Sequence, residues 1–329
     1  MGAGVWGTTF GQVLSDAGTR TMMWGREPKL PEEINDRHEN PAYLPGVTLT
    51  PALHATGDPA EALAGADMVV LAIPAQTLRG NLTAWCPLLP PGAALISLMK
   101  GIEHGTGERM SQVIAEVTGA GPDRIAVISG PNLALEIAQR QYAATVVACA
   151  DESLAKALQQ ACHTPYFRPY TNPDVVGCEL GGAVKNVIAI AVGIAVGMGL
   201  GDNTTAMLIT RGLAEIARLG AALGADQHTF AGLAGMGDLV ATCSSPMSRN
   251  RTYGEKLGRG MSLADAAAST TQVTEGVKSA GPVLELARGH GVEMPITEVV
   301  AGVTRGQIGI GQAAELLASR SAKPERYGV

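Results

Sequence analysis

The residue whose surroundings point most directly to chemistry is Lys185. It lies in the stretch G-G-A-V-K-N-V-I-A-I, residues 181–190, which is otherwise almost entirely apolar. Burying a lysine is costly unless its ammonium group is paired or used. Burial also lowers the pKa of that group toward the range useful for proton transfer. The pattern therefore indicates a catalytic lysine. The alternative is a lysine that extends along an exposed stripe of a helix into solvent.

Two later segments contain candidate partners for this lysine. Asp238 lies in the glycine turn G-M-G-D-L, where its carboxylate is placed to orient Lys185 and to pair with its charge. Arg249 and Asn250, in S-R-N-R, combine a guanidinium fork with an amide donor, which suits the binding of a phosphate group. The alternative for these residues is a solvated, charged loop. Cys243 has no histidine nearby in the sequence, so we interpret it as structural.

A possible cofactor site begins with the pattern G-x-G-x-x-G at Gly2, Gly4 and Gly7. In dinucleotide-binding proteins the first two glycines let backbone N–H groups approach a pyrophosphate, and the third permits close packing of a helix on a strand. In a chain with 42 glycines this pattern is weak evidence by itself. Arg26 follows about 20 residues later, where a guanidinium pairs with the 2′-phosphate of NADP. The adjacent Glu27 leaves the use of NAD open.

Three further turns follow apolar strands, at residues 73–76, 99–103 and 129–132. Lys100 lies in the second of them and Gly130 in the third. Ligands of open α/β sheets bind beyond the carboxyl ends of the strands, so we expect these turns to face the cofactor. Taken singly, each is also explained as an ordinary turn.

The elements that must position these residues change character along the chain. In the first half, short apolar strands alternate with helices, which predicts an α/β fold with a doubly wound parallel sheet of the Rossmann type. Only Met1 precedes the glycine pattern, so we expect the first strand of this sheet to be truncated. Further along, strand signals end and helical patterns continue. We therefore predict a dinucleotide-binding domain at 1–170 and a mostly α-helical substrate and catalytic domain at 171–329.

Individual elements follow from the same patterns. The predicted strands lie at 21–24, 67–73, 93–98 and 125–128, and the predicted helices include 7–17, 206–222, 262–268 and 281–288. Residues 31–59 contain several prolines, which predicts irregular structure around short elements.

Composition excludes several classes of function. The net charge is −6 and no basic block is present, which argues against binding to nucleic acid or to anionic lipid. The longest apolar stretch, 187–201, has 15 residues and four glycines, so it predicts a buried helix and no membrane span. The five cysteines lack a C-x-x-C pair, which predicts neither a disulfide framework nor a metal site. We expect a cytoplasmic protein with a small-molecule substrate, and a homodimer is one option for its assembly.

The chain resembles the bacterial NAD(P)-dependent glycerol-3-phosphate dehydrogenases. The resemblance runs from Gly2 to the segment 292–297 and rests on these motifs, in order: G-A-G-x-W-G-T, W-G-R-E, M-K-G-I-E, S-G-P-N, G-G-A-V-K-N-V-I-A-I, T-R-G-L-A-E, G-M-G-D-L and S-R-N-R-T-Y-G. It implies reversible hydride transfer between NAD(P)H and dihydroxyacetone phosphate. The product is sn-glycerol 3-phosphate, which feeds phospholipid synthesis. NADP is the expected preferred cofactor, with NAD as the second, and no metal is required.

The resemblance also implies roles for individual residues. Lys185 matches the catalytic lysine, the acid in reduction and the base in oxidation, and Lys100 and Asp238 match its active-site partners. The implied substrate-binding residues are Lys100, Gly130, Asn132, Lys185, Asp238, Ser248, Arg249 and Asn250. The implied cofactor-binding residues are Gly2, Gly4, Val5, Trp6, Gly7, Arg26, Lys100, Ala134, Arg249, Val273 and Glu275. Val5 stands where a serine is common and Asn132 where a threonine is common, so the chain lacks a hydroxyl contact to phosphate at Val5.

Two alternatives stay open. A β-hydroxyacid dehydrogenase or ketopantoate reductase also pairs a dinucleotide-binding domain with a helical domain and uses a lysine, although residues 248–250 favour a phosphate substrate. A non-catalytic dinucleotide-binding protein is suggested by the truncated first strand. The set Lys185, Asp238 and Arg249 favours an enzyme.

Overall fold

The computed structural model describes residues 1–269 and 274–318. The chain forms two compact units. Unit 1 comprises Met1–Met99 and Met110–Val175, and unit 2 comprises Lys100–Arg109 and the chain from Val176 onward.

Unit 1 is an α/β unit in which strands and helices alternate. Its strands are β1 (Thr21–Trp24), β2 (Leu53–Thr56), β3 (Met68–Leu71), β4 (Ala94–Ser97), β5 (Ile125–Ser129), β6 (Ala143–Cys149) and β7 (Phe167–Asn172). Its helices are α1 (Val5–Asp16), α2 (Leu30–Asn35), α3 (Pro59–Leu63), α4 (Leu78–Trp85), α5 (Met110–Thr118), α6 (Ala134–Ala138) and α7 (Glu152–Ala161). The strands form a parallel pair, β1-β2, and a five-stranded sheet in the order β3-β4-β5-β6-β7.

The Rossmann-like architecture predicted from the sequence is confirmed, and so are the strands at 21–24, 67–73, 93–98 and 125–128. Three strands are not evident from the sequence. β2 lies in the proline-containing segment that predicts irregular structure, and β7 contains Pro169 and exposes alternate residues, as expected of a strand at the edge of a sheet. β6 departs from a purely parallel sheet because it pairs antiparallel with β5.

Met1 and Gly2 lie between the two sheets of unit 1. The Met1 amine donates to the Val70 carbonyl at 2.7 Å, and the Met1 carbonyl accepts from the Ala72 N–H at 2.9 Å, which is the pattern of a parallel pair with β3. On the other side, the Gly2 N–H donates to the Trp24 carbonyl of β1 at 2.9 Å. These residues therefore occupy the position of a central strand between β1 and β3.

Unit 2 consists mainly of helices. In the described part of the chain these are α8 (Val175–Gly197), α9 (Asp202–Ala222), α10 (Gln227–Ala231), α11 (Asp238–Ser244), α12 (Arg249–Gly258), α13 (Leu263–Ala268), α14 (Glu275–Gly289), α15 (Pro295–Thr304) and α16 (Ile310–Ala318). The predicted helical character of this half is confirmed.

The central helix of unit 2 is α8. It is the one described helix that is long and apolar enough to cross a membrane, but it is almost entirely buried within the protein. Its residues form much of one large apolar cluster together with residues of the surrounding helices. The sequence-based interpretation of residues 187–201 as part of a buried helix is therefore supported by the packing of residues 187–197.

The two units divide differently from the expected domains, 1–170 and 171–329. A boundary after residue 170 would cut β7, which runs to Asn172 and pairs with β6 along its whole length. Residues 100–109 group with unit 2 although they follow β4 directly in the chain. The sequence order does not reveal that residues 100–109 belong to unit 2, because this grouping depends on contacts with residues far away in the sequence.

Candidate functional site

A cluster of charged side chains lies inside unit 2, around Lys185 on α8. Lys185 is 7% exposed and Asp238, the first residue of α11, is 1% exposed. The Lys185 ammonium group donates to Asp238 Oδ1 and, at 2.7 Å, to the Thr242 hydroxyl. Lys185 is therefore a buried, paired lysine, and the alternative of a lysine that extends along an exposed helix face into solvent is wrong.

Lys100 shares the same carboxylate. Its Nζ lies 2.5 Å from Asp238 Oδ2, so each carboxylate oxygen accepts from a different ammonium group. With both lysines protonated, the cluster carries one net positive charge. Such an excess stabilises negative charge that develops on a substrate oxygen.

The pKa of Lys185 is lowered to about 8. Burial is the main cause, because it removes water from around the ammonium group. The negative charge of Asp238 opposes this effect, and the positive charge of Lys100 adds to it. Lys185 can therefore both give up and take up a proton near neutral pH.

The first residues of α12 have more varied settings. Ser248 is the N-cap of this helix, and its hydroxyl accepts from the Arg251 N–H at 3.3 Å. Arg249 is exposed at the first helical position. Asn250 is buried: it donates to Asn186 Oδ1 at 3.0 Å and accepts from the Gly276 N–H at 2.9 Å. Asn250 thus braces α8, α12 and α14, while Arg249 has the exposure that phosphate binding requires.

The glycine turn of unit 1 has the features that a dinucleotide needs. Gly2 has φ +111°, and a Cβ there would lie 2.5 Å from the Ala72 carbonyl oxygen. A Cβ at Gly7 would lie 2.2 Å from the Gly2 oxygen, so helix α1 packs directly on the turn. A Cβ at Gly4 would meet nothing within 4 Å, which leaves open space beside the N-terminus of α1. Two glycines therefore build the turn and the third keeps it open, which fits a pyrophosphate.

The other cofactor and substrate positions of unit 1 lie at the start of a helix or just after the end of a strand. Val5 and Trp6 begin α1, and the Thr9 hydroxyl of the same helix donates to the Ala134 carbonyl at the start of α6 at 3.2 Å. Arg26 is exposed just after β1. Gly130 (φ +143°) and Asn132 follow β5, and the Asn132 amide donates to Thr145 Oγ1 at 3.0 Å.

Two positions need separate mention. Glu275 is the first residue of α14, next to Gly276, which hydrogen-bonds Asn250. Val273 lies outside the described residues.

Thr242 and Asn186 belong to the site but are not singled out by the sequence patterns. Thr242 lies four residues after Asp238, which places both side chains on one face of α11. This relation is visible only if a helix is known to begin at Asp238. Asn186 is an amide inside the apolar stretch around Lys185. Burial of an unpaired amide is costly, so an asparagine at this position indicates a polar partner inside the protein.

Cys243 is part of the apolar surroundings of the cluster. It is 1% exposed, and burial raises the pKa of its thiol to about 12, so it remains protonated at neutral pH. Within residues 1–269 and 274–318, no group of three His, Cys, Asp or Glu side chains is placed to hold a metal ion.

Comparisons with known proteins agree with this arrangement. Residues 1–155 match the family described as NAD-dependent glycerol-3-phosphate dehydrogenase N-terminus, and residues 174–315 match the corresponding C-terminus. A relative named glycerol-3-phosphate dehydrogenase [NAD(P)+] from Thermobifida fusca is 64% identical, with 100% of this chain and 98% of the relative covered. A second relative, from Mycobacterium tuberculosis, is 58% identical over 99% of this chain and 97% of its own length.

Solved structures show the same relationship. The crystal structure of glycerol-3-phosphate dehydrogenase from Coxiella burnetii has a TM-score of 0.92 and 36% identity, with 97% of each chain covered. A ketopantoate reductase from Ralstonia eutropha has a TM-score of 0.58 and 15% identity over 96% of this chain and 98% of its own, which shows a similar fold only. On these matches to both halves and over its full length, the chain belongs to the NAD(P)-dependent glycerol-3-phosphate dehydrogenase family.

Proposed function

We propose that Lys185, Asp238 and Lys100 form the proton-transfer centre of this dehydrogenase. The reaction is the reversible reduction of dihydroxyacetone phosphate to sn-glycerol 3-phosphate with NAD(P)H, which supplies glycerophospholipid synthesis. The observation that carries the assignment is the single buried carboxylate of Asp238, shared by two ammonium groups, one of which has its pKa lowered to about 8.

In the direction of reduction, the protonated Lys185 donates its proton to the substrate oxygen as negative charge builds up there. Asp238 holds the ammonium group in place, and Thr242 accepts a second hydrogen bond from it. Lys100 keeps the cluster positive and thereby favours the charged oxygen. In oxidation, neutral Lys185 takes the proton from the substrate hydroxyl group.

The phosphate group of the substrate is assigned to the beginning of α12. Arg249 supplies a guanidinium fork, and the N-terminus of a ten-residue helix adds a favourable dipole. We propose Ser248 and Asn250 as part of this phosphate site, although both also hold local structure, and Gly130 and Asn132 as further substrate positions from unit 1. Binding the remote phosphate orients the reacting carbon.

The glycine turn at Gly2, Gly4 and Gly7 would hold the pyrophosphate, with Val5, Trp6, Arg26, Ala134 and Glu275 as further cofactor positions. When bound, NAD(P)H supplies the hydride of the reaction. We propose that Arg26 confers the preference for NADP, because it is exposed at the end of β1, where the 2′-phosphate is recognised in this fold.

Replacing Arg26 with aspartate is expected to reverse the cofactor preference. Loss of a charge-assisted hydrogen bond to the 2′-phosphate should lower the ratio of kcat/KM for NADPH to that for NADH by about 10- to 100-fold. Steady-state rates with each cofactor measure the ratio. Arg20→Asp, at the opposite end of β1, is the matched control and should leave the ratio unchanged. An unaltered ratio in Arg26→Asp would remove Arg26 from the cofactor site.

The rates of the two directions are expected to respond oppositely to pH. Reduction requires protonated Lys185, so its rate should fall as the pH rises through about 8, the pKa of this group. Oxidation requires the neutral amine, so its rate should rise over the same interval. Rate profiles between pH 6 and 10 at saturating substrate test both limbs. If the rates of reduction and oxidation change in the same direction with pH, or if their midpoints lie far from pH 8, Lys185 is not the group that transfers the proton.

The function itself is tested by oxidation of NADPH and NADH with dihydroxyacetone phosphate. We expect turnover with both cofactors and little turnover with a carboxylate such as ketopantoate, because Arg249 and the start of α12 suit a phosphate. Faster turnover of the carboxylate would favour the ketopantoate reductase alternative, which otherwise shares only the fold with this chain. Membership in a family of dehydrogenases argues against the non-catalytic alternative.

We also propose that the protein acts in the cytoplasm. All five cysteines are free and none lies in a disulfide, which suits a reducing compartment. A homodimer is one option for its assembly, and sedimentation would measure the oligomeric state.

A further inference from the structure

Residues 100–109 form a closed loop of unit 2. Ile102 and Arg109 face each other in an isolated antiparallel bridge at its base. Above the base, the Glu103 N–H donates to the Glu108 carbonyl at 2.8 Å. Lys100 lies two residues before the bridge. The position of the bridged backbone therefore determines the position of the Lys100 Cα atom, from which the side chain extends.

Two contacts hold the base of the loop. Ile102 is fully buried and belongs to the apolar cluster that is built around α8. Arg109 Nη1 lies 2.5 Å from Glu179 Oε2, and Glu179 is a residue of α8 that is 4% exposed. Breaking such a buried pair by removing one charge is strongly unfavourable. The helix that carries Lys185 thus also carries the anchor of the loop that carries Lys100.

Lys100 needs such an anchor. Lys185 already pairs with Asp238, so a second ammonium group on the same carboxylate is repelled by the first. A lysine also loses considerable side-chain entropy when it is held in one place. The contact with Asp238 therefore depends on a backbone that is held in position elsewhere.

We propose that Arg109 and Glu179 are positioning residues that hold the Lys100 ammonium group against the Asp238 carboxylate. This proposal rests on the assignment of Lys185 as the proton-transfer group. Arg109 pairs with Glu179 at the base of the loop, so the pair acts on Lys100 through the backbone that carries it. The groups that face Lys185 are the Asp238 carboxylate, the Lys100 ammonium, the Thr242 hydroxyl and the protonated Cys243 thiol.

The test compares three variants of the full chain: Lys100→Met, Glu179→Gln and the double variant. Removing the charge of Lys100 should raise the pKa of Lys185, so the rise of the oxidation rate moves to higher pH, by about one unit. Glu179→Gln should move it in the same direction by about half a unit and lower kcat about 10-fold. In the Lys100→Met background, Glu179→Gln should cause no further shift, because the group that it positions is gone.

A second readout does not need activity. NMR titration of Lys185 in protein with isotope-labelled lysine reports its pKa directly. The pKa shifts of the three variants should follow the same order as the shifts of their rate profiles. Arg109→Gln, which removes the other charge of the pair, should give the same shift and replaces Glu179→Gln if that variant does not fold. Arg109→Lys, which keeps the charge, should retain most of the normal profile. Arg288→Gln, which breaks the exposed pair with Glu298 in the same unit, is the matched control and should shift nothing.

The outcomes separate the two proposals. If Lys100→Met shifts the profile but Glu179→Gln does not, or if the shifts add in the double variant, Arg109 and Glu179 are not positioning residues for Lys100. If the NMR pKa of Lys185 moves in the variants while the rate profile does not, the positioning holds and the assignment of Lys185 as the proton-transfer group fails.

Discussion

Replacing Lys185 with alanine is expected to lower kcat by about 1,000-fold, while cofactor binding is retained. In the proposed mechanism Lys185 supplies the proton that the substrate oxygen needs in reduction, and its ammonium group is held by Asp238 Oδ1. The cofactor positions of unit 1 are on a different part of the chain, so their geometry should not depend on this side chain. Rates with dihydroxyacetone phosphate and fluorescence titration with NADPH measure the two quantities separately.

The variant must be shown to fold, because it leaves a buried carboxylate with fewer partners. Lys100 and, at 3.4 Å, the Thr242 hydroxyl still contact Asp238 in that case. Lys185→Met keeps the apolar volume and should give the same loss of turnover. Lys156→Ala, which removes an exposed lysine of unit 1, should change nothing. A wild-type rate in either Lys185 variant would exclude its catalytic role.

Replacing Gly254 with alanine is expected to lower the free energy of unfolding by about 3 kcal/mol. Alanine usually stabilises a helix interior relative to glycine by about 1 kcal/mol, so the expected sign is reversed. The reason is the packing of α12 on α8. A Cβ at Gly254 would lie 2.2 Å from the Ile190 carbonyl oxygen, and one at Gly193 of α8 would lie 2.0 Å from the Arg251 carbonyl oxygen. The two helix backbones are in direct contact.

Chemical unfolding of Gly254→Ala measures this loss. Gly289→Ala is the control, since it lies in α14 of the same unit and its Cβ would meet nothing within 4 Å. That control should be neutral or slightly stabilising. A stability equal to or above that of the unmodified chain for Gly254→Ala would show that the helices can separate without cost. The contact also has a functional consequence, because α12 begins with Arg249, which we assign to the substrate phosphate.

Much of unit 1 was predictable because its strands are short apolar runs between turn residues. β1, β3, β4 and β5 fit that pattern. β7 was not predictable because it is an edge strand whose Arg168 and Tyr170 are exposed, so it lacks the apolar run. β6 is apolar, but its antiparallel direction depends on where the chain turns after β5, which local sequence does not specify.

Much of the candidate site was also predictable, for a different reason. A lysine among apolar residues, a carboxylate among glycines and an arginine beside an amide are each unusual enough to stand out. Their pairing is another matter. Lys185 and Asp238 are 53 residues apart and Lys100 and Asp238 are 138 apart, so no local rule relates them. The proposed role of Asn250 as a phosphate donor illustrates the limit, since the folded chain uses its amide to join three helices.

The two halves of the protein, the glycine turn and the residue types that suit proton transfer and phosphate binding are all predictable from local sequence. These follow from side-chain chemistry and from hydrophobic patterns over a few residues, which are local properties. Long-range packing, in contrast, brings two lysines to one carboxylate, groups the loop that carries Lys100 with the helical unit, and pairs Arg109 of that loop with Glu179 of α8. These arrangements depend on backbone approach and burial, which arise only when distant segments pack together.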